Sequence, residues 1–307
     1  MLWQFTSDLC LVWQMTVCYP TNIKRYMNVS LIHYIVGIFV LTKNLAILMS
    51  ILLKMITAFL PRWKRLTVRA RLYNRLEPFE DVKIGDKHLK LFIPDRTCVY
   101  WAKVGPNSEP TTNAWIRSFD SNDTFVDIGA NIGLYSLMAA AHGVSKVYAF
   151  EPNPFSFSVL SRNIISNSYD SVIFPFCLAM NECSSVVTFK LGGLHAGSIE
   201  NEISDEGQHP DSPSITTASF SVDELFDVQG ISSINHMKID VDGLELEILR
   251  GATGLLSNKA LKSILVEDTS KNQDEVSKIT SLLAEFNFLQ THAWGRDDPS
   301  NKIFIRD

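Results

Sequence analysis

Two stretches, each an apolar run that ends in acid and glycine, carry the chemistry this sequence offers. The first is Thr124-Phe125-Val126-Asp127-Ile128-Gly129-Ala130-Asn131-Ile132-Gly133-Leu134-Tyr135, where an apolar run meets a glycine-bracketed turn and resumes with helical spacing. β-branched and aromatic residues ending in glycine fit a buried parallel strand. Ile132, Leu134, Tyr135 and Met138 recur at spacings that pack a helix on a sheet. Such a junction presents free helix N–H groups beyond the carboxyl end of a strand, where open α/β sheets bind ligands. The second cluster, Lys238-Ile239-Asp240-Val241-Asp242-Gly243-Leu244-Glu245-Leu246-Glu247, ends another apolar strand.

The first loop departs from the dinucleotide fingerprint, which needs a central glycine for close approach to a pyrophosphate. Here the spacing is Gly129-x-x-x-Gly133 with Asn131 inside it, and Asp127 would face a diphosphate with like charge. A ligand with a positive charge suits Asp127 better. S-adenosylmethionine carries an ammonium that a carboxylate can hold and a carboxylate that can rest on helix N–H groups. Val147-Tyr148-Ala149-Phe150-Glu151 is a further apolar strand ending in an acid, roughly 20 residues beyond the glycines, where a carboxylate can accept ribose hydroxyls. The alternatives are an ordinary strand-helix-strand unit with Glu151 solvated, or a nicotinamide-dependent oxidoreductase.

In the second cluster some acids have structural readings. Asp242 with Glu245 three residues on forms a capping box, and Glu247 gains from the helix N-terminal dipole. Asp240 differs, because it sits at the strand's carboxyl end with Lys238 two residues back on the same side, placed to pair with it.

These sites need a scaffold, and length and composition bound it. The chain has 307 residues, 46% hydrophobic and 20% charged, which fits a packed globule of one large or two small domains. A net charge of −5 argues against a nucleic-acid-binding surface. Five cysteines, Cys10, Cys18, Cys98, Cys177 and Cys183, show no paired spacing for disulfides or zinc and point to a reducing compartment. Three segments are expected: an N-terminal extension over 1–61 with a hydrophobic helix at about 31–60, an entry segment over 62–120 with a hairpin turning at Gly85-Asp86, and a core over 121–307.

Leu31–Leu60 is long enough to span a bilayer, which takes roughly 20 predominantly apolar residues. Lys43, Ser50, Lys54 and Thr57 would instead form the polar stripe of a helix lying on a membrane. Pro61-Arg62-Trp63-Lys64-Arg65 with Arg69, Arg71 and Arg75 forms a basic collar that suits the cytoplasmic side. The expected localisation is therefore a cytoplasmic catalytic domain anchored at its N-terminus. A short helix over Thr111–Phe119 is expected to cover the cleft. Further expectations are a helix near Pro154–Ile165, a strand near Val172–Leu178, a hairpin at Ser185–Lys190, a loop over Asp205–Pro213 and closing strands at Phe288–Ala293 and Ile303–Ile305. Strands alternating with helices imply a mostly parallel sheet covered on both faces.

The Phe125–Tyr135 loop, the Phe150-Glu151-Pro152-Asn153 turn, the block from Lys238 to Ala252 and the terminal Asn301-Lys302-Ile303-Phe304-Ile305-Arg306 together resemble the FkbM-type methyltransferases. The resemblance covers roughly 120–306. It implies a Rossmann-like seven-stranded methyltransferase sheet with one antiparallel strand, S-adenosylmethionine as donor, and O-methylation of a sugar, glycolipid or natural product. Asp127, Gly129, Asn131, Gly133 and Glu151 would then bind the donor. The adenine would lie near Cys177-Leu178-Ala179-Met180, with Ala179 the candidate lining residue, although no acid follows this strand to hold the amino group. Asp242 stands where the family more often has glutamate.

Methyl transfer to a hydroxyl requires alignment of the reacting atoms and removal of the acceptor's proton. Asp240 is the candidate for that proton, with Glu245 and Glu267 as further candidates. Asp240 and Glu267 could instead hold a divalent cation, but neither spacing nor a histidine partner demands one, and no metal is expected. His195, in a glycine-rich loop, is a base near the cleft mouth or simply solvated. A non-catalytic cofactor-binding or membrane-scaffold protein is the alternative from another class.

Overall fold

The computed structural model describes residues 29–76, 78–84, 87–198, 201–203, 213–231, 233–267, 273–295 and 301–307. The expected turn at Gly85-Asp86 and nearly all of the loop expected over Asp205–Pro213 lie outside them. The chain divides into two compact units, Met1–Glu77 and Pro78–Asp307.

The first unit contains α1 (Val29–Ile56) and α2 (Arg62–Leu76). The α1 helix ends where the Thr57 hydroxyl donates back to the Leu53 carbonyl at 2.7 Å, shortly before Pro61, which cannot continue a helix. The expectation that Leu31–Leu60 crosses a bilayer finds no support: among the described residues no helix is long and apolar enough. Asn44, Ser50 and Lys54 break the apolar surface of its described part.

The second unit begins with the antiparallel pair β1 (Phe79–Ile84) and β2 (Lys87–Phe92), then α3 (Arg96–Ser108) and α4 (Pro110–Ile116). Next come β3 (Thr124–Ile128), α5 (Leu134–His142), β4 (Lys146–Phe150), α6 (Pro154–Ser166) and β5 (Ile173–Phe176), with β3 and β4 each feeding a crossover helix. A smaller sheet follows, built from β6 (Ala179–Met180), β7 (Ser185–Lys190), β8 (Glu202–Ile203) and β9 (Ser214–Phe220). The chain continues through α7 (Val222–Gln229), β10 (His236–Ile239), α8 (Glu245–Arg250), α9 (Thr253–Ser257), β11 (Ser263–Glu267) and α10 (Gln273–Glu285), and ends with β12 (Phe288–Thr291) and β13 (Asn301–Arg306).

The main sheet has seven strands in the order β12-β13-β11-β10-β3-β4-β5, and β13 alone runs against its neighbours. This is the Rossmann-like seven-stranded sheet, with its single antiparallel strand, that the family resemblance implies. The order reverses between β3 and β10, so both acid clusters end adjacent strands at the switch point, where ligands bind in open sheets.

Strand alternation sorts the core. Phe125, Leu265 and Ile303 face one layer with Trp115, Tyr135 and Met138, whereas Val126, Met237, Ile264 and Phe304 face the other with Leu249 and Leu283. Two expected elements differ. Ser185–Lys190 is one strand, paired antiparallel with Ser214–Phe220, so its partner lies beyond a long connection rather than across a tight turn. The helix expected over Thr111–Phe119 to cover the cleft is a buried core helix, Pro110–Ile116. Thr112 reaches Asn301 at the carboxyl end of β11, while Trp115 reaches Ser263 at its opposite end.

Candidate active site

The loop after β3 is fixed by backbone conformation and by one carboxylate. Gly129 has φ +82°, and a Cβ there would fall 1.8 Å from the Asp240 carbonyl oxygen, so only glycine lets this loop pass against the end of β10. Gly133, at φ +86°, would meet Leu160 at 2.3 Å. Between them Asn131 also has positive φ, 51°, which asparagine tolerates better than most residues. Glu151, buried at the end of β4, accepts the Asn131 N–H through Oε2 and the Asn153 N–H through Oε1, each at 2.8 Å. Burial pushes its carboxyl up to about 7, against the pull of those two bonds.

Asp127 and Lys238 are direct partners across β3 and β10, side by side on one face. Asp127 accepts the Ser136 hydroxyl at 2.5 Å through Oδ2, while its buried Oδ1 has no hydrogen-bond partner. Burial raises its carboxyl, with Lys238 pulling the other way. The Lys238 ammonium, 1% exposed, pairs with Asp240 as the strand spacing predicts, and lies 4.9 Å above the Tyr135 ring centre. Burial disfavours its charge, but Asp240, Asp127 and Glu109 together raise its pKa above the ordinary lysine value.

Asp240 leaves 28% of its side chain exposed, so the cluster reaches solvent there. Burial works against its ionisation, and Lys238 with a hydrogen bond to Glu267 more than offsets it, leaving the carboxyl below the usual range. Glu267 goes the other way. Burial and then the Asp240 charge push it up to about 10, so the pair holds one proton at neutral pH.

Glu109, between α3 and α4, is an acid of this cluster that sequence reasoning missed. Its Oε2 accepts from Thr112 Oγ1 at 2.9 Å and Asn301 Nδ2 at 2.8 Å, and its charge acts on Lys238 and Tyr135. Its only sequence signal is a position just before Pro110, at a helix start.

Other expected residues fall elsewhere. The Asp242 and Glu245 capping box does not form. Leu244 is the N-cap, Asp242 accepts the Asn201 N–H at 2.7 Å, and Glu245 is buried with its carboxyl pushed up to about 8 by desolvation. Ala179 is buried in β6, paired with Ser219 of the smaller sheet. Cys177, directly after β5, feels the Glu151 charge, and burial and that charge raise its thiol. His195 is exposed in its loop. Among the described residues no group of three or more histidine, cysteine, aspartate and glutamate side chains is placed to hold a metal ion.

Residues 127–289, more than half of the chain, match the Methyltransferase FkbM domain. The hexuronic acid methyltransferase AglP of Haloferax volcanii is 29% identical over 167 residues, covering 54% of this chain and 64% of that protein. The methyltransferase sdnD of Sordaria araneosa is 32% identical over 164 residues, covering 44% of this chain and 62% of that protein. The chain thus matches less than two thirds of the length of these relatives. Among solved structures, the methyltransferase FkbM from Methylobacillus flagellatus KT aligns at 15% identity with a TM-score of 0.46, covering 68% of this chain and 52% of that one.

Proposed function

Because the chain belongs to the FkbM methyltransferase family, whose methyl donor is S-adenosylmethionine, we propose that it methylates a hydroxyl of a sugar, glycolipid or natural product, with Asp240 receiving the proton. The observation that carries this reading is the partly exposed Asp240 carboxylate, held ionised beside Lys238 at the mouth of a buried cluster, with its backbone against Gly129.

The chain's residues fit the donor. Asp127 Oδ1 and Asn131 Oδ1 are buried acceptors without a hydrogen-bond partner, which suits a ligand bearing an ammonium and two hydroxyls. Each Glu151 oxygen accepts one backbone N–H and keeps a second lone pair. Asp127, Gly129, Asn131, Gly133 and Glu151 would hold the donor, which supplies an electrophilic methyl on a sulfonium.

The rest falls to the second cluster. With the donor bound, Asp240 would take the proton of the acceptor hydroxyl as that oxygen receives the methyl. Lys238 keeps Asp240 ionised beforehand, and Glu267 already shares a proton with it. Proton removal of this kind contributes roughly 10²–10⁴-fold. Glu245, buried and raised, serves as a structural acid beside Gly243 rather than as the base. The localisation that goes with this reading is cytoplasmic, where the donor is made.

A sugar acceptor agrees with the relative named for hexuronic acid, and the net charge of −5 disfavours a polyanion such as RNA. The test incubates the full chain and methyl-labelled donor with uronic-acid oligosaccharides, glycolipid extract and transfer RNA. Label in an alkali-stable ether on the glycan or lipid is expected. Label only in RNA, or none in any fraction beyond an Asp240→Asn control, overturns the proposal.

A further inference from the structure

The described part of α1 is apolar on nearly every side and lies open. Leu45, Leu48 and Met49 are 56%, 61% and 58% exposed, and Leu52, Met55 and Ile56 beside them are exposed as well. Phe59 and Trp63, past its end, are 80% and 64% exposed. Contiguous apolar surface of this kind is rare on a water-facing monomer and marks a partner. The helix that follows is its opposite. α2 contains Arg62, Lys64, Arg65, Arg69, Arg71 and Arg75, has no acid, and buries no residue, within a chain whose net charge is −5.

We propose that α1 and α2 form a membrane-surface anchor for anionic lipid, in which the apolar side of α1 enters the headgroup boundary of a bilayer and the cations of α2 lie among lipid phosphates.

Charge chooses this occupant over the others. A second copy seated on the same apolar face would bring two sets of six like charges together with no acid in either α2 to offset them. An anionic bilayer offers hydrocarbon to the one helix and phosphate to the other. The polar residues agree with a surface helix rather than a spanning one. Ser50 and Lys54, both exposed, fall within about 40° of each other at helical spacing, a narrow polar stripe that can face the headgroups. Trp63, under the Lys64 ammonium at 5.4 Å, is the residue type that settles at the interface between the two regions. The anchor rests on no feature of the methyl-transfer site.

The test is flotation of the full chain with two vesicle types, pure phosphatidylcholine and phosphatidylcholine containing phosphatidylglycerol, across a salt series. The chain is expected to float with the anionic vesicles, to lose that binding as salt rises, and to be released by alkaline carbonate. The triple variant R62Q/K64Q/R65Q is expected to bind the anionic vesicles on the order of a hundredfold more weakly, from the contribution of each cation near an anionic surface. Replacing Leu45 and Leu48 by serine removes flotation while leaving S-adenosylhomocysteine binding intact, which shows that the catalytic unit is folded. Failure to float with either vesicle, equal binding to both, resistance to carbonate, or lipid-independent dimers lost in the Leu45 and Leu48 variant each overturn the proposal. None of these results bears on whether methyl is transferred.

Discussion

Glu109, Asp127 and Asp240 act electrostatically on one buried ammonium, Lys238, and Glu267 completes the group through Asp240. One cation cannot neutralise four ionised carboxylates in a low-dielectric site, so the pKa values separate, with Asp240 depressed and Glu267 raised to about 10. The roles follow from that separation. Asp240 is the ionised base and Glu267 the neutral donor that keeps it ionised. Replacing Glu267 by alanine removes a donor that lowers the Asp240 pKa, so the acid limb of the rate profile moves to higher pH. Glu267→Gln retains a donor, so its limb stays near that of the unaltered chain. A pH series of turnover checks this, and identical limbs in Glu267→Ala and the parent exclude the pair. The Lys238 and Asp240 pairing was legible in the sequence, because residues two apart on a strand share a face. Glu109, Tyr135 and Asn301 were not, because only tertiary packing brings α3, α5 and β13 to that end of the sheet.

Among the elements, α4 and the starts of β10 and β11 are tied by one continuous network. Trp115 donates to Ser263 Oγ at 2.7 Å, Ser263 lies 2.7 Å from His236 Nδ1, and His236 Nε2 lies 2.9 Å from Asp123 Oδ2. Since the ionised Asp123 carboxylate can only accept, Nε2 carries the imidazole N–H, and Nδ1 of the neutral ring accepts from the Ser263 hydroxyl. His236 is neutral, as burial pulls its pKa down to about 4 despite Asp123. Serine, histidine and aspartate in a row suggest a nucleophile, but all three are buried at the end of the strands opposite the acid clusters. The network fastens α4 to the sheet. Ser263→Ala leaves the indole N–H and Nδ1 without partners and is expected to cost about 2–4 kcal/mol. Urea unfolding measures that loss, with donor affinity unchanged. Sequence patterns located the strands here because each is a short apolar run between turn residues. They placed the cap at Asp242, but Gly243, at φ +95°, lies outside the helix and Leu244 is its N-cap.

At the scale of the whole molecule, a mostly parallel sheet was legible from alternating strands and helices, whereas its seven strands and single antiparallel member followed from the family resemblance. The smaller sheet was not legible, because β7 pairs with β9 across a connection whose length conceals the partner. Burial of acids also sets the pH response of stability. Glu151, Glu245 and Glu267 have carboxyls raised to about 7, 8 and 10, so the folded chain binds more protons than the unfolded chain above about pH 4.5. Their contribution is present below that value and is lost as pH rises through each folded pKa. His236 acts oppositely, losing stability as pH falls from 6.5 toward 4, but it is one group against three. Thermal unfolding of the ligand-free chain is therefore expected at higher temperature at pH 5.5 than at pH 8.5. The reverse order would contradict the burial of these three acids.

The most direct test of the account is a calorimetric titration of S-adenosylhomocysteine into the full chain, Glu151→Ala and Asp240→Asn at pH 8. Loss of hydrogen bonds to a charged acceptor costs about 1.5–3 kcal/mol, so Glu151→Ala is expected to bind roughly tenfold or more weakly. Asp240→Asn is expected to bind within a few-fold of the parent while losing turnover. Unchanged affinity in Glu151→Ala, or binding lost in Asp240→Asn and kept in Glu151→Ala, would contradict the division of the site into a donor loop closed by Glu151 and a proton-accepting cluster at Asp240.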